Sequence, residues 1–166
     1  MRAFINLILG LLISIQSHAI VNDYIFEPIT SNTGITFNAI NSISDDKYGF
    51  IWFGCNNGLY YYNSAEIIKF NFDLSKSNAP QSNIINYIYK DKTQQLWICT
   101  ENGICYFNED LNSFSQLKFN DTTHFIAFDV KLLYQLNEDN FVAIINNDLY
   151  KFNTKDLNLY KSGKHF

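Results

Sequence analysis

Short hydrophobic runs separated by polar turns recur along most of this chain. The run from Ile40 to Ser44 alternates apolar and polar residues, whereas Phe50 to Cys55 is apolar at both alternating sets of positions. Alternation predicts a half-buried β-strand, and a strand that is apolar on both sides predicts a sheet covered on both faces. Two further runs, Leu59 to Asn63 and Ile67 to Phe72, complete a set of four strands. The pattern therefore predicts an all-β protein.

The four-strand pattern repeats at a spacing of 45 residues, which is the distance from Trp52 to Trp97. The outer strand of the second copy is predicted from Phe114 to Phe119. A further 45 residues lead to a weaker copy, in which Val142 replaces the tryptophan and Asp148 replaces a loop glycine. A period in the forties with several short strands per unit is typical of a β-propeller blade. We therefore expect a partial β-propeller of about three four-stranded blades.

The repeats predict how the chain is divided. Closed propellers need about four to eight blades, so three blades are expected to form an open arc with exposed apolar faces. We expect such an arc to be a truncated or split product that self-associates or completes a ring with a partner chain. The expected parts are a signal peptide at 1–19, an N-terminal extension with a lead-in strand at 20–36, and blades at 37–73, 82–120 and 128–162, the last of them degenerate.

An aspartate begins the turn before the second strand in the first two copies. Asp46 to Gly49 is predicted to form a type I turn, because an acid at the first position caps local N–H groups and glycine suits the fourth. The second copy keeps Asp91 but has Gln94 in place of the glycine. We therefore expect a looser or differently shaped turn there, and we assign both aspartates to the structural core of the repeat.

An Asn-Gly pair stands between the second and third strands of the first two copies. The segments 56–58 and 101–103 are predicted to be three-residue hairpin loops. In such loops Gly58 and Gly103 take a left-handed conformation, which glycine adopts without steric cost. Both glycines are therefore expected to serve the structure of the repeat.

The three cysteines are an odd number for an exported chain. If the second loop pairs Thr100 with Ile104, then Cys99 lies directly opposite Cys105 on the hairpin. A cross-strand disulfide between them is one interpretation, and two small buried thiols are the other. No cysteine and histidine have the spacing of zinc ligands, and no cofactor is expected.

The N-terminus has the organisation of a secretory signal. Met1-Arg2 precedes an apolar run from Phe4 to Ile15, and the small residue Ala19 marks a cleavage site before Ile20. The run is shorter than the roughly 20 residues needed to cross a bilayer as a helix. We therefore expect an exported, periplasmic protein whose mature chain has no stable membrane span.

The charge balance excludes one class of partner. The formal net charge is −4, charged residues make up 17% of the chain, and the lysines and arginine form no cluster. A basic patch is the electrostatic requirement for binding phosphate backbones. No nucleic-acid partner is therefore expected.

The tryptophans and two pairs of adjacent acids could have functional roles, but a structural role is favoured for both sets. Trp52 and Trp97 could be platforms for stacking sugars, but a residue at the same place in every blade is typical of the core between blades. The acid pairs 45–46 and 109–110 could act as catalytic carboxylates, but adjacent acids in turns are typically caps. We expect no catalytic residue and no enzyme activity.

The first copy resembles the two-component regulator propeller repeat, the unit of the periplasmic sensor region of bacterial hybrid two-component proteins. The resemblance rests on Asp46, Trp52 and the Asn57-Gly58 pair, within a framework that the second copy repeats at Asp91, Trp97 and Asn102-Gly103. The matching segments are Gly34 to Ile43, Gly49 to Gly54, Asn57 to Leu59 and Tyr62.

The resemblance implies detection of extracellular nutrients, with oligosaccharides as frequent ligands, and a histidine kinase core on the complete protein. His18, His124 and His165 lie in no phosphoacceptor context, so this chain alone is not a kinase. Ligand-binding residues are not readable from the sequence. Two alternatives stay open: an assembly module that completes a propeller with another chain, and the N-terminal piece of a propeller lyase or glycosidase.

Overall fold

The computed structural model describes residues 37–73, 79–108, 110–119 and 128–165. All of them belong to one compact unit, residues 31–166. The expected signal peptide, its cleavage site at Ala19 and Ile20, and the lead-in strand lie outside the described residues. No helix that could span a membrane occurs in the described segments.

The described residues form three antiparallel sheets, one for each sequence repeat. Blade one has the strand order β1-β2-β3-β4 and blade two the order β5-β6-β7-β8, so neighbouring strands follow one another along the chain. The all-β, open-arc architecture expected from the sequence is confirmed, since none of the three sheets closes on itself. The strands of the first two blades are β1 (Ile40–Asp45), β2 (Ile51–Cys55), β3 (Gly58–Tyr62), β4 (Ile67–Phe70), β5 (Ile85–Lys90), β6 (Leu96–Thr100), β7 (Gly103–Asn108) and β8 (Ser113–Gln116).

Blade three has five strands because it receives one from blade two. Its order is β10-β11-β12-β13-β9, and β9 pairs with β13 in parallel. The sequence predicted one outer strand of blade two from Phe114 to Phe119. This prediction is wrong at its end, since Leu117 follows β8 and the chain then crosses to the neighbouring blade. The strands are β9 (Lys118–Phe119), β10 (Val130–Gln135), β11 (Asn140–Ile145), β12 (Asp148–Asn153) and β13 (Asn158–His165).

The hairpin loops are one residue shorter than predicted. Cys55 pairs with Gly58 and Thr100 with Gly103, so each loop has two residues and each glycine begins a strand. The glycines have φ values of +144° and +136°, a region that L side chains rarely adopt. The end of the Gln81 side chain lies where a Cβ on Gly103 would be placed, so a larger residue here would displace that side chain.

Blade three makes the corresponding turn with different residues. Asn146 and Asn147 have φ values of +51° and +67°, as a two-residue type I′ hairpin requires. Asparagine tolerates this conformation better than other non-glycine residues. Because the turn takes up both positive φ angles, Asp148 begins β12 without one, which explains how blade three dispenses with the loop glycine.

The first strand of each blade carries a bulge at the same repeat position. The registers of β1, β5 and β10 shift at Asn41, Asn86 and Lys131. Asn41 Nδ2 donates to the carbonyl of Ile85 at 2.8 Å, and Asn86 Nδ2 donates to the carbonyl of Val130 at 3.0 Å. Bulges re-aim side chains, and here they direct an amide to the next blade.

The blades are joined by two hydrophobic cores. In the joint between blades one and two, a Cβ on Gly54 would lie 2.5 Å from Ile85 Cγ2, so the glycine allows the sheets to approach closely. The same repeat position in the second joint is Cys99, which packs in one core with Val130, the counterpart of Ile85. A larger residue on one side is thus matched by a smaller one on the other, which keeps the packing dense.

Candidate ligand clefts between the blades

Asp46 organises the turn at the start of β2. Its Oδ1 accepts hydrogen bonds from the backbone N–H of Tyr48 at 2.9 Å and of Phe50 at 3.0 Å. Its Oδ2 accepts a third bond, from Nε1 of Trp52 at 3.1 Å. The aspartate therefore satisfies the turn and the buried indole N–H together, and both of its oxygens are occupied.

Asp91 makes the same set of bonds in blade two. Its Oδ1 accepts from the backbone N–H of Thr93 and of Gln95, and its Oδ2 accepts from Nε1 of Trp97 at 2.8 Å. The prediction of a looser turn is wrong: Gln94 adopts a φ of +71°, close to the +82° of Gly49. The bonds made by Asp91 hold the turn in one shape, at the cost of a non-glycine residue in the left-handed region.

Blade three lacks both partners of this arrangement. The positions of the aspartate and the tryptophan are taken by Leu136 and Val142. Asn137 instead caps the turn, because its Oδ1 accepts the backbone N–H of Asn140 at 3.0 Å. The aspartate and the tryptophan are present together or absent together, which is expected of two groups that satisfy each other.

The tryptophans lie in the joints between blades. Trp52 is 1% exposed and Trp97 3% exposed, so neither offers a free ring face for stacking. Trp52 contacts Phe107 of the next blade at a ring distance of 4.8 Å, and Trp97 contacts Phe141 of its next blade at 5.2 Å. These distances are those of favourable aromatic pairs.

An aromatic cleft lies between blades one and two and has a volume of about 310 Å³. Ile68 and the two polar residues Asp46 and Asn112 complete its lining. The carboxylate of Asp46 is occupied by the bonds described above, so the walls present mainly ring surfaces. The aromatic residues that define the cleft are Tyr48, Trp52, Tyr61, Phe70 and Phe107.

A polar cleft occupies the equivalent place between blades two and three and is larger, at about 530 Å³. Its floor is Trp97 and Tyr106, the counterparts of Trp52 and Tyr61. Its far wall comes from blade three, where Glu138 and Asp139 stand in a turn. The remaining residues that define it are Asp91, Lys92, Thr93, Gln95, Thr154 and Leu157.

The buried side chain of Gln135 bridges the two turns that border the polar cleft. Its Oε1 accepts the backbone N–H of Lys92 at 3.0 Å, and its Nε2 donates to the carbonyl of Glu138 at 3.2 Å. At 3% exposure it is one of the few buried polar residues of the arc. The bridge holds the turn at Lys92 and the turn at Glu138 at a set separation, because both hydrogen bonds of Gln135 join backbone groups of those turns.

Charge on the far wall is partly compensated. Lys155 Nζ lies 2.6 Å from Asp139 Oδ2, and this bond lowers the pKa of Asp139 from its usual value. The neighbouring Glu138 is exposed. The polar cleft therefore combines acidic oxygens, hydroxyl groups and one lysine, which are the groups that bind hydroxylated ligands.

The three cysteines are free and buried. The register pairs Cys99 with Ile104 and Cys105 with Ile98, so the two thiols are not directly opposite each other as the predicted loop required. The loop prediction was wrong by one residue, and this shift moves Cys105 away from Cys99. Burial raises the pKa of Cys105 to about 12 and that of Cys99 still further.

Sequence reasoning missed the pairing of each aspartate with a tryptophan, although both copies separate these residues by the same interval. That shared interval was the available signal. The clefts had no signal, because their walls come from residues of different repeats. In the described segments, no group of three or more histidine, cysteine or acidic residues is placed to hold a metal ion.

A comparison with protein families identifies the repeat. The family model of the two component regulator propeller matches residues 34–57, which include the Asp46 turn and Trp52. Residues 34–57 carry a two-component regulator propeller repeat. The resemblance noted in the sequence is thus confirmed for blade one. A search of curated proteins found no match to the chain.

Solved structures share the fold at low sequence identity. The extracellular domain of a one component system from B. thetaiotaomicron matches with a TM-score of 0.68 and 19% identity over 85% of this chain. The extracellular domain of a hybrid two component system from the same organism matches with a TM-score of 0.57 and 20% identity over 80% of this chain. This chain spans only 18% and 25% of those two domains.

An enzyme is also similar in fold. Virginiamycin B lyase from Staphylococcus aureus matches with a TM-score of 0.55 and 17% identity, over 75% of this chain and 41% of the lyase. At such identities the likeness shows the propeller fold alone, because one fold hosts many functions.

Proposed function

We propose that this chain is an exported, periplasmic, non-catalytic propeller segment that recognises an extracellular ligand for a two-component signalling system. The match of residues 34–57 to the two component regulator propeller carries the proposal. The similar extracellular domains of one component and hybrid two component systems support it. An N-terminal signal peptide that is cleaved between Ala19 and Ile20 is part of the same proposal.

The polar cleft is the site where this ligand binds. It is larger than the aromatic cleft, and its two walls are joined by the bridge that Gln135 makes between two backbone turns. Tyr106 supplies a ring, and Glu138 and Lys92 supply groups that accept and donate hydrogen bonds. A hydroxyl-rich ring such as a unit of an oligosaccharide uses both kinds of surface.

Calorimetric titration of the purified mature chain with a panel of oligosaccharides tests this assignment. At least one should bind saturably, and Glu138→Gln should weaken that binding about tenfold, because a neutral amide oxygen replaces a charged acceptor. Asp110→Asn, which neutralises an exposed carboxylate outside the polar cleft, is the matched control and should leave the affinity unchanged. A panel without any saturable ligand, or equal loss in both variants, would overturn the assignment.

We also propose an assembly role for the open face of blade three. Leu132 and Tyr134 on β10 are 44% and 57% exposed, and they pair across the sheet with Ile144 and Val142. In blades one and two the equivalent face is covered by the next blade. The open face is therefore proposed to bind a further propeller blade, from a second copy of the chain or from a partner chain.

Light scattering over a concentration series tests the assembly role. The chain should form oligomers, and Tyr134→Glu should shift them toward the monomer by placing a charge in the interface. Leu111→Glu changes a residue that is 70% exposed outside this face and should have no effect. A monomer at all concentrations, in the absence of any partner, counts against self-association.

A further inference from the structure

The aromatic cleft differs in chemistry from its counterpart, although both occupy the same place in the repeat. Trp52 forms the floor and contacts Tyr61 at 4.9 Å and Phe107 at 4.8 Å between ring centroids. Phe70 stacks on Trp52 at 5.5 Å with an interplanar angle of 12°. Blades one and two thus both contribute rings to the walls, and the partly buried rings of Tyr61, Phe70 and Phe107 surround the buried Trp52.

Tyr48 stands at the mouth of this cleft. It is 65% exposed, and it contacts Phe50 at 6.2 Å, which in turn contacts Tyr61 at 5.5 Å. A continuous series of ring contacts therefore runs from the exposed Tyr48 toward the buried Trp52. Lys47 Nζ lies 5.0 Å from the centre of the Tyr48 ring, so Ile68 and the rest of the Tyr48 surface give a planar molecule apolar contacts at the opening.

Apolar atoms form the larger part of the walls and polar atoms the smaller part. Both oxygens of Asp46 are engaged by N–H donors of its own turn and of Trp52. Asn112, at the rim, supplies an uncharged amide. A sugar or a charged ligand that entered this cleft would replace only part of its hydrogen bonds to water, which is costly.

The size of the cleft sets the size of the ligand. A cavity of about 150 Å³ lined by apolar side chains is enough to bind benzene. The aromatic cleft has about 310 Å³ and is open at one side. Its volume therefore suits two fused rings rather than one.

We propose that the aromatic cleft binds an uncharged, planar molecule of about two fused aromatic rings. This site is independent of the polar cleft and of the oligosaccharide ligand proposed above. Edge-to-face and offset contacts with the surrounding rings supply the binding energy. Asp46, the charged residue among those that line the cleft, is engaged within its own blade, so an uncharged ligand is favoured. The chain thereby recognises two ligand classes in two equivalent clefts.

Equilibrium dialysis with 2-naphthol below its phenol pKa tests this proposal on the mature chain. Saturable binding is expected, and Ile68→Glu should weaken it at least tenfold by placing a charge in the cleft. Ile43→Glu is the matched control, since it makes the same substitution at a residue that is 63% exposed and outside both clefts. The affinity of the Ile43→Glu variant for 2-naphthol should stay within twofold of that of the unmodified chain.

A second variant protects the test against misfolding. Tyr48→Ala truncates an exposed side chain and should weaken 2-naphthol binding about fivefold through the loss of one ring contact. No saturable binding by the unmodified chain, or no loss in either Ile68→Glu or Tyr48→Ala, overturns the proposal. Competition of 2-naphthol by maltotriose also overturns it, since the cleft would then accept hydroxylated rings. Loss of sugar binding in Glu138→Gln with naphthol binding retained would separate the two clefts.

Discussion

Blades one and two stabilise their inner turns in one way, and blade three in another. In the first two, one aspartate holds both the turn and the buried indole of the tryptophan six residues later. In blade three a leucine and a valine take these positions, and Asn137 caps the turn from the next residue along. The difference shows that the aspartate and the tryptophan act as a unit, and that a blade can lose the unit without losing its strands.

Removing the aspartate should have the largest effect and should separate the two kinds of blade. Asp91→Ala leaves the buried Nε1 of Trp97 and several turn N–H groups without acceptors, so we expect a loss of about 3 kcal/mol in unfolding free energy. Leu136→Ala, at the same repeat position in blade three, removes a side chain that is 53% exposed and should cost less than about 0.5 kcal/mol. Urea denaturation of the two variants measures both values. Equal losses would show that the aspartate is an ordinary turn residue.

The two joints between blades offer a second way to sharpen the comparison. Gly54→Cys gives the first joint the residue of the second, and its Cβ would overlap Ile85. We expect a loss of about 2 kcal/mol from overpacking. Adding Ile85→Val completes the exchange, because Val130 stands at that position in the second joint. Valine keeps the Cβ and Cγ2 atoms that meet the new side chain, but it frees the space of Cδ1, into which the side chain can shift, and should recover part of the loss.

A double-mutant cycle from urea midpoints measures this coupling between Gly54 and Ile85. The single variant Ile85→Val is the control and should cost about 1 kcal/mol, the usual value for removing one buried methylene. Strictly additive effects would show that the two positions do not compensate each other.

The thiols of blade two should make its stability depend on alkaline pH. The pKa of Cys105 is raised from 9.0 to about 12 because burial disfavours the thiolate, and Cys99 is shifted in the same direction. Folding therefore retains a proton that the unfolded chain loses. The stabilisation is complete below pH 9 and is lost as the pH rises from 9 toward 12.

At pH 10 we expect each buried thiol to cost about 1 kcal/mol relative to pH 8. Urea midpoints at the two pH values measure the effect. The variant Cys105→Ala should show a smaller drop in stability, because it lacks one of the two buried thiols. Tyrosines and lysines contribute equally to the variant and to the unmodified chain. A drop of the same size in the variant would assign the pH dependence to those other groups.

The smallest effect should come from the turn residue that differs between blades one and two. Gln94 holds a φ of +71°, which favours glycine. Gln94→Gly should stabilise the chain by about 0.5 kcal/mol, since relief of strain exceeds the entropy that glycine loses on folding. Thermal unfolding checks the sign, and Lys92→Gly, at an exposed residue of the same turn outside the positive-φ region, should destabilise instead.

Much of the blade structure could be predicted from sequence because it depends on residues close together in the chain. Asp46 caps N–H groups two and four residues away, and alternation within each run marks its strand. Both hairpin loops were predicted one residue too long, because the pairing of β2 with β3 and of β6 with β7 continues as far as each glycine. The shape of the Gln94 turn was wrong because three hydrogen bonds to Asp91 outweigh a local preference for glycine.

The candidate clefts could not be predicted from the sequence, because their walls come from residues far apart in the chain. The floor of the polar cleft follows the repeat, through Trp97 and Tyr106, but its far wall at Glu138 and Asp139 belongs to another blade. The repeat gave no indication that one cleft would be aromatic and the other polar. That contrast depends on which variable turn residues meet across a joint.

The sequence by itself determined the repeat, the all-β class and the family resemblance, because a 45-residue period with alternating strands admits few other architectures. Only the tertiary structure decided what each repeated residue does. It paired each aspartate with an indole, moved Cys105 out of line with Cys99, passed β9 to the neighbouring blade, and assembled two unlike clefts from equivalent positions. These outcomes depend on contacts between residues far apart in the chain, where packing and hydrogen bonding outweigh local preference.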